Sequence, residues 1–400
     1  MADRVTVIGW DGSPPSEAAL SALTAATLVA GTRRHLDLPH VPESAERIVL
    51  GSIDLAARRI AKHRGTAVVL ADGDPGFFGV VRALRDPELG LEIEVVPGVS
   101  SVARAFALAG MPWEDARVVV AHSRSLRRAV NVCRAYPKVA VLTAPGAGPA
   151  ELSLLLDGVH RTFVICEALG TEQEQVSVLT SDKVADHVWR DPNVVLVVGG
   201  ITSRDPAVAG RSGWIAGRDP AFPGTVRGWG LPSSEYGGDG SHQLRALQLA
   251  RLGPRTGDLV WDIGSADGAF AVEAARFGAA VIAVDRDEDA CDWITAAGRR
   301  FGVQLQVVHG TAPQALEDLP EPDVIRIGGG DAEVVTACAA RRPERIVASA
   351  GNRDEAEAVS RALEEGGYDV ERALLQTVEL DSGWAERERL VTFALCGHRR

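Results

Sequence analysis

The feature that most constrains this chain is a repeated change of period. Short β-branched runs, VTVIG at Val5, TAVVLA at Thr66, LEIEVVPG at Leu91, RVVVAH at Arg117, KVAVLTA at Lys138, RTFVICEA at Arg161 and NVVLVVGG at Asn193, alternate with Ala/Leu-rich amphipathic segments such as Ser16–Val29 and Val99–Ala109. Unbroken apolar runs are strands covered on both faces, so the alternation predicts an α/β protein built on parallel, helix-covered sheets. The pattern dissolves once, in ITSRDPAVAGRSGWIAGRDPAFPGTVRGWG from Ile201 to Gly230, where Gly and Pro recur with no period. The expected organisation is therefore a domain over 1–203, a linker over 204–227 and a second domain over 228–400; the alternative is a long functional loop inside one domain.

The alternation resumes after the break. Helices are expected at Gln243–Leu252, Ala269–Phe277, Glu288–Phe301 and around Ala332–Ala340, and strands at Asp258–Ile263, Ala280–Asp285, Gln304–His309, Asp323–Ile327 and Arg345–Ala350. That is a doubly wound βαβ series. A chain of 400 residues also exceeds one ordinary core, in keeping with two units.

Charge and cysteine usage exclude several classes. A net charge of −12 leaves no basic footprint for nucleic acid, and an anionic substrate would need locally placed arginines. Cys133, Cys166, Cys291, Cys338 and Cys396 are scattered without metal-ligand spacing, so reduced, buried thiols and no metal are expected. The opening apolar run is too short for a signal peptide and no apolar segment reaches bilayer length. A cytoplasmic protein without a membrane partner follows as the expectation.

The stretch WDIGSADGAF, Trp261–Phe270, sits where a strand meets a helix. A dinucleotide turn needs G-x-G-x-x-G, and here those positions hold Gly264, Ala266 and Ala269, with Asp267 adding negative charge where a pyrophosphate would lie. The shorter G-x-G-x-G pattern that suits S-adenosylmethionine fits Gly264, Ala266 and Gly268 with one change, and a sulfonium cofactor tolerates nearby acids. Asp285 closes the next strand, where a carboxylate accepts hydrogen bonds from ribose hydroxyls. A purely structural turn, another nucleoside ligand or a nucleotide-dependent dehydrogenase are the competing readings.

In the first half, Ala71–Gly79 (ADGDPGFFG) and Pro97–Ser101 (PGVSS) both close strands, where open α/β sheets place ligands, although each is also an ordinary turn sequence. With VIGWDG, EVVPGVSSVARAFALAGMPWEDARVV, AVLTAPGAGPAELSLLL and VICEALGTEQEQV in order, the first half resembles the tetrapyrrole methylase family, and Glu94–Val119 is similar to its branch that methylates C5 of the corrin macrocycle. Past the break, GLPSSEYGGDGSHQLRALQLARLGPRTGDLVWDIG resembles the C15-methyltransferase family that also removes an acetate carboxyl. The resemblance runs over nearly the whole chain, in domain order as well as motifs.

The resemblance implies a tetrapyrrole methylase fold of two α/β lobes fused to a Rossmann-like class I methyltransferase. It implies S-adenosyl-L-methionine at two sites: Gly73, Asp74, Phe77, Ser100, Ser101, Thr143, Ala168 and Gly199 in the first half, and Gly264, Ser265, Ala266, Gly268, Asp285, Thr311 and Ala312 in the second. The implied substrate is a corrinoid of precorrin-6 type, methylated at C5 and C15 with loss of the ring C acetate carboxyl, as in cobalamin biosynthesis. The macrocycle can act as electron sink, so no catalytic residue is singled out. Its carboxylates want arginines, with Arg245, Arg326 and Arg124 as candidates against ordinary surface roles. A homo-oligomer is also expected. A non-catalytic second half that holds substrate or supports oligomerisation is the alternative. This chain departs from the second family's pattern at Ser241–Gln243, before Arg245, at Thr311, where a carboxylate is usual, and at Ser349.

Overall fold

The computed structural model describes residues 4–199, 216–217, 228–238, 240–329 and 331–400. The expected linker, 204–227, lies outside the described residues apart from Ala216 and Gly217. The chain divides into two compact units, one of residues 1–113, 164–178 and 188–196, the other of residues 114–163, 179–187 and 197–400.

The first sheet belongs to the first unit. Its strands β1 (Arg4–Trp10), β2 (Leu28–Gly31), β3 (Glu46–Val49), β4 (Ala67–Asp72) and β5 (Glu92–Val96) run parallel in the order β3-β2-β4-β1-β5. Along β4, Ala67 and Val69 enter one apolar cluster with Val5, Val7 and Leu28, while Val68 and Leu70 enter another with Ile8, Leu23 and Val29. Burial on both faces explains the unbroken apolar runs. The segment expected as one amphipathic piece to Val29 is a helix, Glu17–Thr24, followed by β2.

A second sheet holds β6 (Arg117–Val120), β7 (Lys138–Leu142), β8 (Thr162–Glu167), β9 (Gln175–Thr180) and β10 (Asn193–Val198), in the order β6-β7-β10-β8-β9. The division into units runs through it. Two α/β sheets in the first half match the two lobes expected.

The third sheet carries β11 (Leu259–Ile263), β12 (Ala280–Asp285), β13 (Gln306–His309), β14 (Val324–Ile327), β15 (Arg345–Ala350), β16 (Tyr368–Leu380) and β17 (Glu386–Arg399), in the order β13-β12-β11-β14-β15-β17-β16. The strands from β11 to β15 pair in parallel, and the chain winds outward from β11 in both directions, so the topological switch point lies between β11 and β14. The helix Ala269–Arg276 is buried along nearly its whole length, and its alanines let it pack close on β11 and β12. Beyond Ala350 the sequence reading named no element. The structure adds the helix Arg353–Glu365 and the antiparallel hairpin β16–β17, with β17 antiparallel to β15.

All five cysteines are buried free thiols, as expected. Burial pushes the Cys133 and Cys338 thiols up to about 12 and those of Cys166 and Cys396 up to about 11. Among the described residues no helix is long and apolar enough to cross a membrane.

Candidate functional site

Four parallel strands of the third sheet deliver their C-terminal ends to one cavity of about 500 Å³. From β11 come Ile263, Gly264 and Ala266, from β12 Val284, Asp285 and Arg286, from β13 Gly310–Pro313, and from β14 Gly328, Gly329, Asp331 and Glu333. The strand ladder continues into these turns, since the amides of Gly264, Gly310 and Gly328 donate to the carbonyls of Val284, Asp285 and Ile263 at 2.8–2.9 Å. A crevice at strand ends beside a switch point is where open α/β sheets bind ligands.

The turn after β11 has an unusual backbone. Ala266 is left-handed, with φ 54°, a conformation that costs a residue with a Cβ about 1–2 kcal/mol. Asp285 compensates: its Oδ2 accepts the Ala266 amide at 2.9 Å and its Oδ1 the Asp287 amide at 3.1 Å. Gly264, at φ 65°, faces Gly329 so closely that a Cβ would lie 3.1 Å from the Gly329 amide nitrogen. Three acids, Asp285, Asp331 and Glu333, against one cation, Arg286, leave the cavity lining net acidic, which suits a nucleoside bearing a positive sulfonium and opposes a pyrophosphate. Thr311 and Ala312 line the same wall.

Two buried ion pairs hold this frame from beneath. Asp262, wholly buried in β11, accepts from Arg326 of β14 at 2.9 Å and from the Ser265 hydroxyl at 2.6 Å. The Arg326 guanidinium also donates to the Gly264 carbonyl at 3.0 Å and lies over the Phe270 ring. Glu273, the lone acid of an apolar helix and fully buried, accepts from the amides of Gly230 and Leu231, the Tyr236 hydroxyl and Arg245 Nε. Arg245 donates further to the Leu231 carbonyl. Burial, followed by the charge of Glu273, raises the Tyr236 phenol above its ordinary value.

Arg245 and Arg326 were expected at the substrate, and the structure turns both inward. Neither lines the cavity; each neutralises a buried carboxylate, because a buried charge is tolerated only when paired. Ser265 and Gly268 also stand off the cavity wall. Ser265 is bonded to Asp262, and Gly268, at φ 73°, starts the helix and packs on Ile294. Ser241 caps the helix His242–Leu252, its Oγ accepting the Leu244 amide at 3.1 Å. Arg124 is exposed in the turn after β6, where its amide donates to His122 Nδ1 at 3.3 Å.

Within the first unit, loops from four strand ends meet. Gly9 lies so close to the Gly73 carbonyl, the Gly98 amide and Pro75 that no side chain fits. Gly73, at φ 63°, would place a Cβ 2.9 Å from the Ser101 amide nitrogen, so the GDP loop and the PGVSS turn are in backbone contact. Gly12 and Gly170 approach more closely still, a Cβ on Gly12 falling 1.9 Å from the Gly170 carbonyl oxygen. Charge then ties the loops: Asp11 Oδ2 accepts the Val99 amide at 2.8 Å, and Arg104 donates to the Asp11 carbonyl at 3.2 Å and to Glu174 at 2.5 Å. Glu174 in turn accepts the Gly170 amide at 2.9 Å. The Arg104 hydrogen bond holds Glu174 below its ordinary range, and Glu174 in return raises Arg104.

The expected residues fall onto this frame unevenly. Asp74 turns its own loop by accepting the Gly76 amide at 2.8 Å, and Ser100 caps the helix Ser101–Leu108 through the Ala103 amide at 3.1 Å. Phe77 is partly exposed, edge-on to Phe78. Ala168 is left-handed, φ 49°, at the end of β8. Thr143, after β7, and Gly199, after β10, belong to the second unit. Asp11, Gly12, Arg104 and Glu174 were not expected at a site, although WDG at the end of the first strand was a signal for the first two. The acids Asp331 and Glu333 escaped too, behind the GGG that follows β14.

Two family models match the chain in tandem. Residues 4–185 match tetrapyrrole (corrin/porphyrin) methylases, and residues 236–394 match the precorrin methyltransferase domain. A Sinorhizobium protein named precorrin-6Y C(5,15)-methyltransferase (decarboxylating) is 32% identical over 363 residues, covering 87% of this chain and 84% of that protein. The Salmonella typhimurium cobalt-precorrin-7 C(5)-methyltransferase is 35% identical over 191 residues, covering 45% of this chain and 90% of its own length. Among solved structures, the C-terminal domain of the Rhodobacter capsulatus precorrin-6Y C5,15-methyltransferase is 30% identical, covers 42% of this chain and 97% of that domain, and superposes with a TM-score of 0.38. The chain belongs to the precorrin-6Y C5,15-methyltransferase (decarboxylating) family.

Proposed function

We propose that this chain is a bifunctional methyltransferase of cobalamin biosynthesis that methylates a precorrin-6 type corrinoid at C5 and C15 and removes the ring C acetate carboxyl. The tandem of two methylase units, each with a glycine-rich cradle at strand ends, carries the reading. The reading that leaves the second half non-catalytic has less support, because its cavity keeps an acid at the end of β12 and a glycine turn after β11. The proposed domains are 1–203 and 228–400, joined by 204–227.

S-adenosyl-L-methionine is the proposed methyl donor at both sites. In the second half, Gly264, Ala266, Asp285, Thr311 and Ala312 would hold it, with Asp285 on the ribose hydroxyls and the acidic wall favouring the sulfonium; Ser265 and Gly268 shape the turn. In the first, Gly73, Asp74, Phe77, Ser100, Ser101 and Ala168 are assigned to the same cofactor. The donor supplies an electrophilic methyl when bound. The chain's own part is to orient the meso carbon in line with that methyl and to exclude water. Arg124 remains a proposed contact for a substrate carboxylate.

We further propose a cytoplasmic homo-oligomer, for which the terminal hairpin is suited by its exposed Leu374, Leu380 and Trp384. Full-length protein incubated with the corrinoid and carbon-13 methyl-labelled donor tests the reaction by NMR. Label is expected at both C5 and C15 with release of carbon dioxide. In Asp285→Ala, C15 label and carbon dioxide should fall together while C5 label persists; equal loss at both carbons would defeat the assignment of separate sites.

A further inference from the structure

We infer that the chain has a second ligand site, a cavity of about 360 Å³ lined by Arg134, His160 and Arg161, which takes a compact oxyanion. It lies at the opposite end of the third sheet from the cofactor cavity, against Leu259, Ala280 and Gln304, where β11, β12 and β13 begin.

Two guanidiniums line it while only 8% and 4% exposed, Arg134 and Arg161 respectively. Buried arginines are ordinarily paired with carboxylates, yet among the described residues these bond only to neutral oxygens. Arg134 donates to Gln306 Oε1 at 3.0 Å and the Leu155 carbonyl at 2.6 Å. Arg161 donates to the carbonyls of Cys133, His160 and Arg134 at 3.0–3.2 Å. Each guanidinium has five N–H groups, so these bonds leave half of the donors of the pair unused. Among the described residues no Asp or Glu lines the cavity, and Asp157, exposed nearby, raises Arg134 by its charge but is hydrogen-bonded to neither arginine. Burial, and at Arg134 the neighbouring Arg161, pull both guanidiniums below their ordinary pKa, a cost that a bound anion removes. The carbonyls explain how the arginines are oriented. They do not neutralise the charge.

The site also touches the strand that feeds the cofactor cavity. Arg134 grips Gln306 at the start of β13, and the other end of that strand leads into Gly310 and Thr311 of the cofactor cavity. The shared chemistry, a doubly charged oxyanion, is met by phosphate from a phosphorylated metabolite or by paired carboxylates of an organic acid.

Isothermal titration of the full chain with inorganic phosphate and, separately, glutarate, against chloride at equal ionic strength, distinguishes these sources. Saturable binding to one site with a Kd below about 1 mM is expected for at least one probe. Arg134→Gln should weaken it about tenfold or more, the loss of a charge-assisted contact. Val159→Glu, at the cavity wall, places a carboxylate beside the arginines. It should abolish binding and raise the melting temperature in chloride, which keeps the test decisive if Arg134→Gln does not fold. No saturable binding of either probe, or binding unchanged in both variants, overturns the proposal.

Discussion

The two cradles reach a similar end by different construction. The first unit brings together loops from separate strand ends and closes them with glycines so tightly opposed that backbone touches backbone, as at Gly9, Gly73 and Gly98. The second-half cavity is built around one strand–turn–helix with its neighbours, and it tolerates an alanine in a left-handed turn because a carboxylate holds that turn's amide. A cradle of converging loops depends on shape at many points, whereas a cradle on one turn depends on the few charges beneath it. Substitutions of shape should therefore injure the first, and substitutions of charge the second.

The largest effect is expected at Glu273→Ala, which strands Arg245 as a buried unpaired cation. It should lower stability by about 3–5 kcal/mol in denaturant titration, and a loss below 1 kcal/mol would show that the second half does not rest on its buried charges. Next comes Gly9→Ala, with an expected loss of about 1–3 kcal/mol by overpacking and a selective fall in C5 labelling. Unchanged C5 labelling would break the contrast of shape with charge. Asp285→Ala removes the acceptor of the Ala266 amide, and donor affinity at the second site should drop about tenfold to hundredfold by equilibrium binding.

Smaller still is Ala266→Gly, which relieves the left-handed strain but adds unfolded-chain entropy, for a net gain of up to about 1 kcal/mol in thermal melting. The least effect is expected from acid. At Asp72, burial pushes the carboxyl up, but the hydrogen bond from His35 and the charge of Arg34 outweigh it and leave the group below its ordinary range. At Asp11 the Val99 and Ser13 amides do the same. A carboxyl held low adds stability above its unfolded pKa and loses it as pH falls through the folded value. Asp258, in the second half, is raised by burial and by Asp323, so ionising it costs stability that protonation restores. Acidification below about pH 4 should thus weaken the first unit while relieving this one position, measurable as diverging hydrogen-exchange protection of the two halves.

Much of this was legible in the sequence because the physics was local. VWDI followed by a glycine turn, and VIAVD ending in an acid, specify β11, β12 and the place of Asp285 at a strand end; the bond it accepts from the Ala266 amide came only with the structure. Arg245 and Arg326 were misplaced because an arginine that meets solvent and one that meets a buried acid look alike in a chain. The informative partners were Asp262 and Glu273, single acids inside apolar runs, which need a cation wherever they are buried. The terminal hairpin went unseen for the opposite reason. Its strands are largely solvent-facing, so their residues carry no continuous apolar signature. The first-half turns were legible as strand-end loops and through resemblance, but not how they meet, since contacts between Gly9 and Gly73 or Arg104 and Glu174 join residues far apart in the chain.

The five buried cysteines make the chain its own recorder of opening. A thiol raised to about 11 or 12 is almost wholly protonated at neutral pH and sealed from reagents, so an alkylating agent marks it only when the surrounding structure has opened. Cys166 lies in the first unit, Cys338 and Cys396 in the second. Mass spectrometry of briefly alkylated protein would therefore time the breathing of each unit separately, with no label or added probe site.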